Sequence, residues 1–514
     1  MNRALFGRGV ASLSRPFALL RTRRPDGWLL FAVAVVALAV AMRLLLYQRF
    51  PIFFTNDSPD YLRGSERIAA ELDFSSGHLR DWRPPGYPVF LALLQWCCTW
   101  SSASVVLAQK LGGVACVALG LAAGRSLGWR LGGVVIGAFL ALHPVYLLFE
   151  HVAMSEALFT VLLWAFATLC IVTVGRNPGV LYGLLLGAAF SACVLTRAPG
   201  FFLCAPVLLG VMLFSLARGP DDFRKRLFRL VWFALGLFVA VAAIIGPWSY
   251  RNYLLYGTLS PFTNNAQRTL LAYMAVHKVM DPNAPEMRSL DQDMAKDRRS
   301  ASGKLIRRLG SGPQAEQKAG RLLRAQIHQQ KWKYLTQVGY SLRSFLGLPV
   351  PPRHAASHDV IYWYNRYVLD VPATRYHNAN FMRMKTTFTY VKKGRDGRLL
   401  RLWAAAGVAY LTWGRTALVI IFGLSVVTYL LTGGFRRAGQ EQAVVVLFSV
   451  GFLSAAICHA VLLAGKERYA VPWDGFQVLV IAGVLDHLAR ERILSTPCCR
   501  VMERVRGRVN EPDV

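Results

Sequence analysis

Residues 28–66 read WLLFAVAVVALAVAMRLLLYQRFPIFFTNDSPDYLRGSE. The first half is an apolar run, 28–47, of the ~20 residues that a helix needs to cross a bilayer core. The second half sets Asp57, Asp60, Tyr61 and Glu66 just beyond its end. If the run spans, the basic stretch before it (MNRALFGRGVASLSRPFALLRTRRPDG) lies in the cytoplasm, and every later segment takes its side by alternation. A cleaved signal peptide is the competing reading. The run is long enough to span and ends in LLLYQRFPIFF with no small-x-small cleavage site, which favours an uncleaved first helix.

Further runs of similar length recur at 104–124, 131–149, 157–174, 179–196, 199–217, 230–248, 414–433, 441–463 and 470–488. With the N-terminus inside, the cytoplasmic side receives Arg125 and Arg130, Arg176, Arg224-Lys225-Arg226, Arg436-Arg437 and the tail from Arg490, as the positive-inside rule requires. That distribution decides how the charge of the chain is read. The net charge is +31, from 59 basic and 28 acidic residues. Because so many of these cations lie between apolar runs, nucleic-acid binding is excluded as a reading. Of the 514 residues 54% are hydrophobic and only 17% charged, too apolar for a soluble two-domain protein. The expected fold is an all-α polytopic membrane protein, a bundle of about ten transmembrane helices.

Two stretches do not read as spans. PPGYPVFLALLQWCC (84–98) would invert everything downstream if it crossed. It is expected to lie in the outer interface, opened by Pro84 and Pro85. The segment 250–400 mixes Arg/Lys-rich helical pieces with Pro-rich breaks such as GLPVPPRHAASHD, and alternation puts it outside, where long loops travel regardless of charge. The expected organisation is a cytoplasmic N-terminus (1–27), a transmembrane module (28–248, first outer loop 50–103), a mostly helical extracytoplasmic segment with interfacial helices (249–413), C-terminal transmembrane helices (414–488) and a cytoplasmic tail (489–514). The nine cysteines show no metal or disulfide spacing, and five of them lie inside apolar runs as small core residues.

This topology gathers the ionisable residues of the apolar segments on the outer side. Asp57 and Asp60 follow the first span. Glu150, His151 and Glu156 fall in LLFEHVAMSEALF, Arg197 ends the fifth span in LTRAPG, and Arg251-Asn252 follow the seventh in GPWSYRNY. Lys466, Glu467, Arg468 and Tyr469 fall in LAGKERYAVPW. Such residues are costly at membrane depth and mark candidate sites. Each has a plainer reading. Asp57 before Ser58-Pro59 suits a helix N-cap, and Glu156 after Ser155 suits a helix start. Arg468 and Arg251 suit headgroup contacts, and His151 an interfacial position. Together, carboxylates and arginines on one face form a site in which a carboxylate takes a proton from a hydroxyl while arginines hold a phosphate.

NDSPDY, WRPPGYPVFLAL, FEHVAMSEALF, LTRAPG, GPWSYRNYLLYGTLSPFTNNAQ and ERYAVPW, in this order, resemble the GT-C membrane glycosyltransferases. The nearest likeness is to bacterial relatives of the dolichyl-phosphate-mannose protein mannosyltransferases and of the lipid A aminoarabinose transferase. It covers about 28–270 and 441–480; 280–400 carries no match. The resemblance implies a GT-C-like bundle with interfacial helices in the first outer loop over a cavity. It implies a polyprenyl-phosphate sugar as donor and an inverting transfer to a glycan, lipid or protein hydroxyl at the extracytoplasmic face of a bacterial inner membrane. It matches the catalytic acid to Asp57, with Asp60 as alternative, and a second acid to Glu156. Arg468, Tyr469, Arg251 and Lys466 fall where the donor phosphate is bound. Tyr61, Arg83, His151, Arg197, Asn252 and Glu467 fall at the substrate cavity. The first loop has D-x-x-D where many relatives have an adjacent acidic pair or D-x-E/D. A divalent metal, which Glu156 and His151 would help to hold, is therefore left open. The rival classes are a lipid-linked saccharide transporter or flippase, and a non-catalytic subunit of envelope polysaccharide assembly. The inverted repeats and paired broken helices common in transporters are absent from the sequence.

Overall fold

A computed structural model describes residues 27–49, 52, 54–55, 57–75, 79, 83–98, 100–176, 178–218, 222–262, 266–277, 279–281, 309–310, 312–348, 350, 397–432, 439–462 and 470–495. These residues form helices and turns with no β-strand. Seven helices are long and apolar enough to cross a membrane: Gly27–Gln48, Ser102–Ser126, Ser155–Val174, Pro199–Ala217, Phe223–Tyr256, Ala405–Leu431 and Gln440–Val461. The chain is a helical integral membrane protein, as its apolar runs require.

The helices, in chain order, begin with α1 (Gly27–Arg49), α2 (Ser58–Glu71) and α3 (Gly86–Cys97). At 1.5 Å per residue α3 reaches only about 18 Å, too short to cross. Then come α4 (Ser102–Ser126), α5 (Arg130–Leu142) and α6 (Pro144–Phe149). The single span expected at 131–149 is thus two helices. Pro144 cannot donate to the helix ladder and forces His143 out of helical geometry (ψ 113°), and the His143 ring then caps α6 by accepting from the Tyr146 amide at 3.2 Å.

Next are α7 (Ser155–Val174), α8 (Val180–Thr196), α9 (Pro199–Arg218) and α10 (Phe223–Tyr256). The expected span at 179–196 is the 17-residue α8, shorter than the seven long helices. It packs along α10 at glycines: a side chain on Gly183 or Gly236 would overlap the facing backbone at Phe233 or Val180. That close approach is how helices associate in lipid. The 34 residues of α10 extend about 51 Å, well beyond a ~30 Å apolar core. Arg224-Lys225-Arg226 stand at one end and Arg251-Asn252 still lie within the helix at the other.

Helices α11 (Ala266–Val276), α12 (Pro313–Gln329) and α13 (Lys331–Phe345) share a small core of Leu271, Met274, Ala319 and Leu323, tied by Arg268 to Glu316 at 3.1 Å. The chain then forms α14 (Gly397–Ala409), a π-turn at Tyr410–Gly414, α15 (Arg415–Leu431), α16 (Gln440–Val461), a short 3₁₀ turn at Val471–Trp473 and α17 (Asp474–Ser495). α17, where a span at 470–488 was expected, opens on Asp474 and carries Asp486, Arg490, Glu491 and Arg492 in its second half, which keeps it outside the seven. Trp129, Trp164 and Trp473 are fully buried in the main core.

Contacts sort the helix ends into two sets. At one end Arg197 meets Glu156, Arg251 meets the first loop, Tyr334 meets Val461 and Tyr146 meets Val471. At the other, Arg226 Nη1 donates to the Leu216 carbonyl at 2.9 Å, Gln440 Nε2 to that of Ile171 at 2.7 Å, and Thr432 meets His487 at 3.3 Å. Every pair joins ends that alternation from an inside N-terminus places on one side.

Candidate active site

α2 starts abruptly because Pro59 sits in its first turn, where a missing N–H costs nothing. Asp57 occupies the cap position, yet its carboxylate makes no capping bond. It faces Arg83 instead. Arg83 Nη2 donates to Asp57 Oδ1 at 2.7 Å and to Asp60 Oδ2 at 3.1 Å, and Arg83 Nε donates to Asp60 Oδ2 at 3.3 Å. Arg83 comes from WRPPGYP, immediately before α3, so this triad closes the first loop onto itself. Burial opposes the guanidinium charge, but the carboxylates of Asp57 and Asp60 outweigh it and hold Arg83 firmly protonated.

Tyr61, one turn into α2, joins this triad to the bundle. The Arg83 guanidinium lies 5.2 Å from its ring centre, and its hydroxyl is 3.3 Å from Ser155 Oγ at the start of α7. Burial pushes the Tyr61 phenol above its ordinary range against the pull of Arg83, so the group stays a neutral O–H. Next on α7 is Glu156, almost fully buried, with Oε1 2.8 Å from Arg197 Nη1 at the end of α8. Charge rather than an aligned hydrogen bond holds this pair. Asp57, Asp60, Tyr61, Arg83, Glu156 and Arg197 therefore gather at one end of the bundle from four separate stretches of chain. Gly86 brings the start of α3 against the end of α8; a Cβ there would come within 2.6 Å of Thr196 Oγ1.

The turn that delivers Ser155 and Glu156 is braced from below. The Gln109 side chain donates to the carbonyls of Glu150 and Val152 at 3.0 and 3.2 Å and accepts from Tyr87 Oη at 2.8 Å. Tyr87 in turn meets the Tyr61 ring edge-on, centres 5.1 Å apart. The Glu150 side chain points into the bundle, where Oε1 accepts from Arg43 Nη2 at 2.7 Å and from Nε at 3.0 Å. Lys110 Nζ stands 4.0 Å from its other oxygen. His151 is fully buried in the same turn.

Arg251 and Asn252 form a separate group. Arg251 lies 4.5 Å from the Trp248 ring centre and donates through Nη2 to the first-loop carbonyls of Phe74 and Leu79 at 2.8 and 3.1 Å, and through Nη1 to Asn252 Oδ1 at 2.7 Å. Asn252 Nδ2 donates to the Ser260 and Phe262 carbonyls at 2.7 and 3.2 Å. These two side chains are spent largely on backbone, fixing the first loop and the exit from α10. Lys466, Glu467, Arg468 and Tyr469 lie outside the described residues.

Tyr87, Gln109, Ser155, Arg43 and Lys110 were not singled out from sequence. Only the two charges inside apolar runs, Arg43 and Lys110, carried a signal that could have found them. Among the described residues, no group of three or more His, Cys, Asp or Glu side chains is placed to hold a metal ion. The carboxylates of this site face guanidinium groups instead.

No family model matches the sequence, and no curated protein sequence matches it. Solved structures do. The apo oligosaccharyltransferase of Archaeoglobus fulgidus is similar at 16% identity and a TM-score of 0.47 over 91% of this chain and 52% of its own. The chain thus spans about half the length of that enzyme. ArnT from Cupriavidus metallidurans is similar both bound to undecaprenyl phosphate (16% identity, TM-score 0.34, 92% of this chain and 80% of its own) and in the apo state (15%, 0.36, 90% and 79%).

Proposed function

We propose that the chain is a membrane glycosyltransferase that moves a sugar from a polyprenyl-phosphate carrier to an acceptor hydroxyl of a glycan, lipid or protein, on the extracytoplasmic side and with inversion. The observation that carries this reading is the constellation of three carboxylates and two guanidinium groups, half-buried to buried, at one end of a membrane bundle. The order of the sequence motifs supports it independently.

In this reading the donor enters sideways from the bilayer and its phosphate takes the guanidinium of Arg83, with Arg197 beside it and Arg468 and Lys466 as further cations. Arginine matches phosphate in two-point geometry, and fixed positive charge in a desolvated site stabilises a leaving phosphate strongly. When Arg83 turns to the phosphate its hold on the Asp57 carboxylate weakens, and Asp57 acts as the base. The acceptor oxygen attacks the anomeric carbon, its proton passes to the Asp57 carboxylate, and the bond from that carbon to the phosphate oxygen breaks on the opposite face. Polyprenyl phosphate departs as an anion and needs no proton. Glu156, held by Arg197, orients a sugar hydroxyl in this reading, and the neutral Tyr61 O–H donates one hydrogen bond.

The test is release of polyprenyl phosphate from a labelled polyprenyl-phosphate sugar by the purified protein with an acceptor extract. Release that Asp57→Asn abolishes is expected. Movement of the donor across vesicles without release would instead assign the chain to transport, and neither activity would favour a non-catalytic assembly subunit.

A further inference from the structure

Helices α12 and α13 present a face that the proposed chemistry does not use. Between them they carry Lys318, Arg321, Arg324, Lys331, Lys333 and Arg343, and one acid, Glu316. All six cations are exposed. Glu316 is turned inward, where it accepts from the Gln267 amide at 2.6 Å and from Arg268 Nε at 3.1 Å. No acid of either helix therefore faces outward to balance the cations. Lys318, Arg321, Arg324 and His328 recur at three- and four-residue steps and share one side of α12.

On α13 the cations flank apolar surface. Trp332 is 71% exposed and Leu335 52%, and Lys331 Nζ lies 5.7 Å from the Trp332 ring centre. The buried stripe of this helix (Tyr334, Gln337, Ser341 and Phe345) ties it to membrane helices at both ends. Tyr334 Oη donates to the carbonyl of Val461, the last residue of α16, at 2.7 Å. Arg415, at the start of α15, donates through Nη2 to the Phe345 carbonyl at 2.5 Å. The helix is thereby fixed against the end of α16 and the start of α15, with the Phe345 ring 6.1 Å from that of Phe452.

We propose that α13, with the cationic side of α12, is a headgroup-binding surface for anionic phospholipid in the leaflet at this end of the bundle. Lysines and arginines with no outward-facing acid on their own two helices attract anionic headgroups, and a tryptophan with a leucine one turn on suits the zone where acyl chains give way to water. An acidic glycan would satisfy the charges but leave Trp332 and Leu335 in water. A lipid surface accounts for both features. The inference concerns a face remote from the Asp57 triad in sequence and does not depend on the glycosyltransferase reading.

The full-length protein is reconstituted in nanodiscs of equal phosphatidylglycerol and phosphatidylcholine, and the lipid it retains is read by native mass spectrometry. Wild type is expected to retain phosphatidylglycerol in preference, and K331Q/K333Q to lower that preference by about fivefold per charge removed. These side chains are exposed, so the variant is expected to fold as wild type. In parallel, brominated phosphatidylcholine should quench the fluorescence component lost in Trp332→Phe. An unchanged lipid preference in K331Q/K333Q, or an unquenched Trp332, overturns the proposal. So does charge-dependent capture of an acidic polysaccharide with no lipid preference, which would assign the face to a glycan.

Discussion

At the loop-1 end of the bundle, one guanidinium serves two carboxylates unequally. Arg83 meets Asp57 through a single 2.7 Å bond, while Asp60 receives two longer ones at 3.1 and 3.3 Å. Short charge-assisted bonds are the strong ones, so the closest contact that Arg83 gives up when it turns to another anion is the one to Asp57. A base that is masked until the phosphate arrives is a sensible arrangement for a site next to water. The expected result is that Asp57→Asn lowers the initial rate of polyprenyl phosphate release by about 10²–10⁴-fold, the range for losing a positioned proton acceptor, and that Asp60→Asn lowers it less. Both variants should melt close to wild type in detergent, because Arg83 keeps one carboxylate in each and all three side chains are partly exposed. The opposite ranking of the two rates would move the role of base to Asp60.

Among the elements, the 150–156 turn shows why part of this site was readable in sequence and part was not. SEAL and NDSPDY stand out because they put acids at span ends, and alternation alone places both on one side. The brace beneath them is visible only in parts: Arg43 and Glu150 are each a charge in or next to an apolar run, but nothing in the sequence pairs them. Arg43 and Glu150 are 107 residues apart, and only the packing of α1 against α4 and α5 brings them to 2.7 Å. Gly113 makes the room: a methyl there would overlap the Glu150 carboxylate and come within 2.6 Å of Arg43 Nε. Arg415 and Asp474 repeat the pattern at 3.1 Å, and Tyr410 donates to the same carboxylate at 2.8 Å. The π-turn closes between the Arg415 amide and the Tyr410 carbonyl, and both side chains reach Asp474. Helical spacing read from sequence assumes no such turn. Removing one member of a buried pair leaves a bare charge, so Glu150→Ala should cost about 3–5 kcal/mol, measured by unfolding in detergent. The double variant Arg43→Met/Glu150→Leu should recover much of that loss. Equal losses in the single and the double variant would mean that the pair does not brace the turn.

For the whole molecule, the apolar runs were enough to read an all-helical bundle, but not the continuity of every helix. His143-Pro144 splits one expected span, and α10 continues as helix past GPWSYRNY because Pro247 is accommodated within it. Sequence hydropathy averages over both features, since neither a proline in an apolar run nor two extra turns of helix changes its apolar character. The sidedness of the bundle is the inference on which the proposed reaction most depends, because a donor phosphate held by Arg83 must be on the face where the acceptor is. Two native cysteines offer a probe. Cys97 and Cys98, at the end of α3, are exposed, whereas Cys116, Cys170, Cys193 and Cys204 are buried in the bundle. α3 belongs to the same loop as Asp57 and Arg83, and its start abuts the end of α8 that carries Arg197. Whichever side labels Cys97 and Cys98 is therefore the side of the whole site. A membrane-impermeant maleimide applied to intact spheroplasts should label the chain, and C97S/C98S should remove most of that signal. Labelling of this pair that required permeabilised membranes would place the site in the cytoplasm. It would also invert the direction of every helix from α1 to α17 together, since the contacts at the two ends allow no single helix to be turned alone.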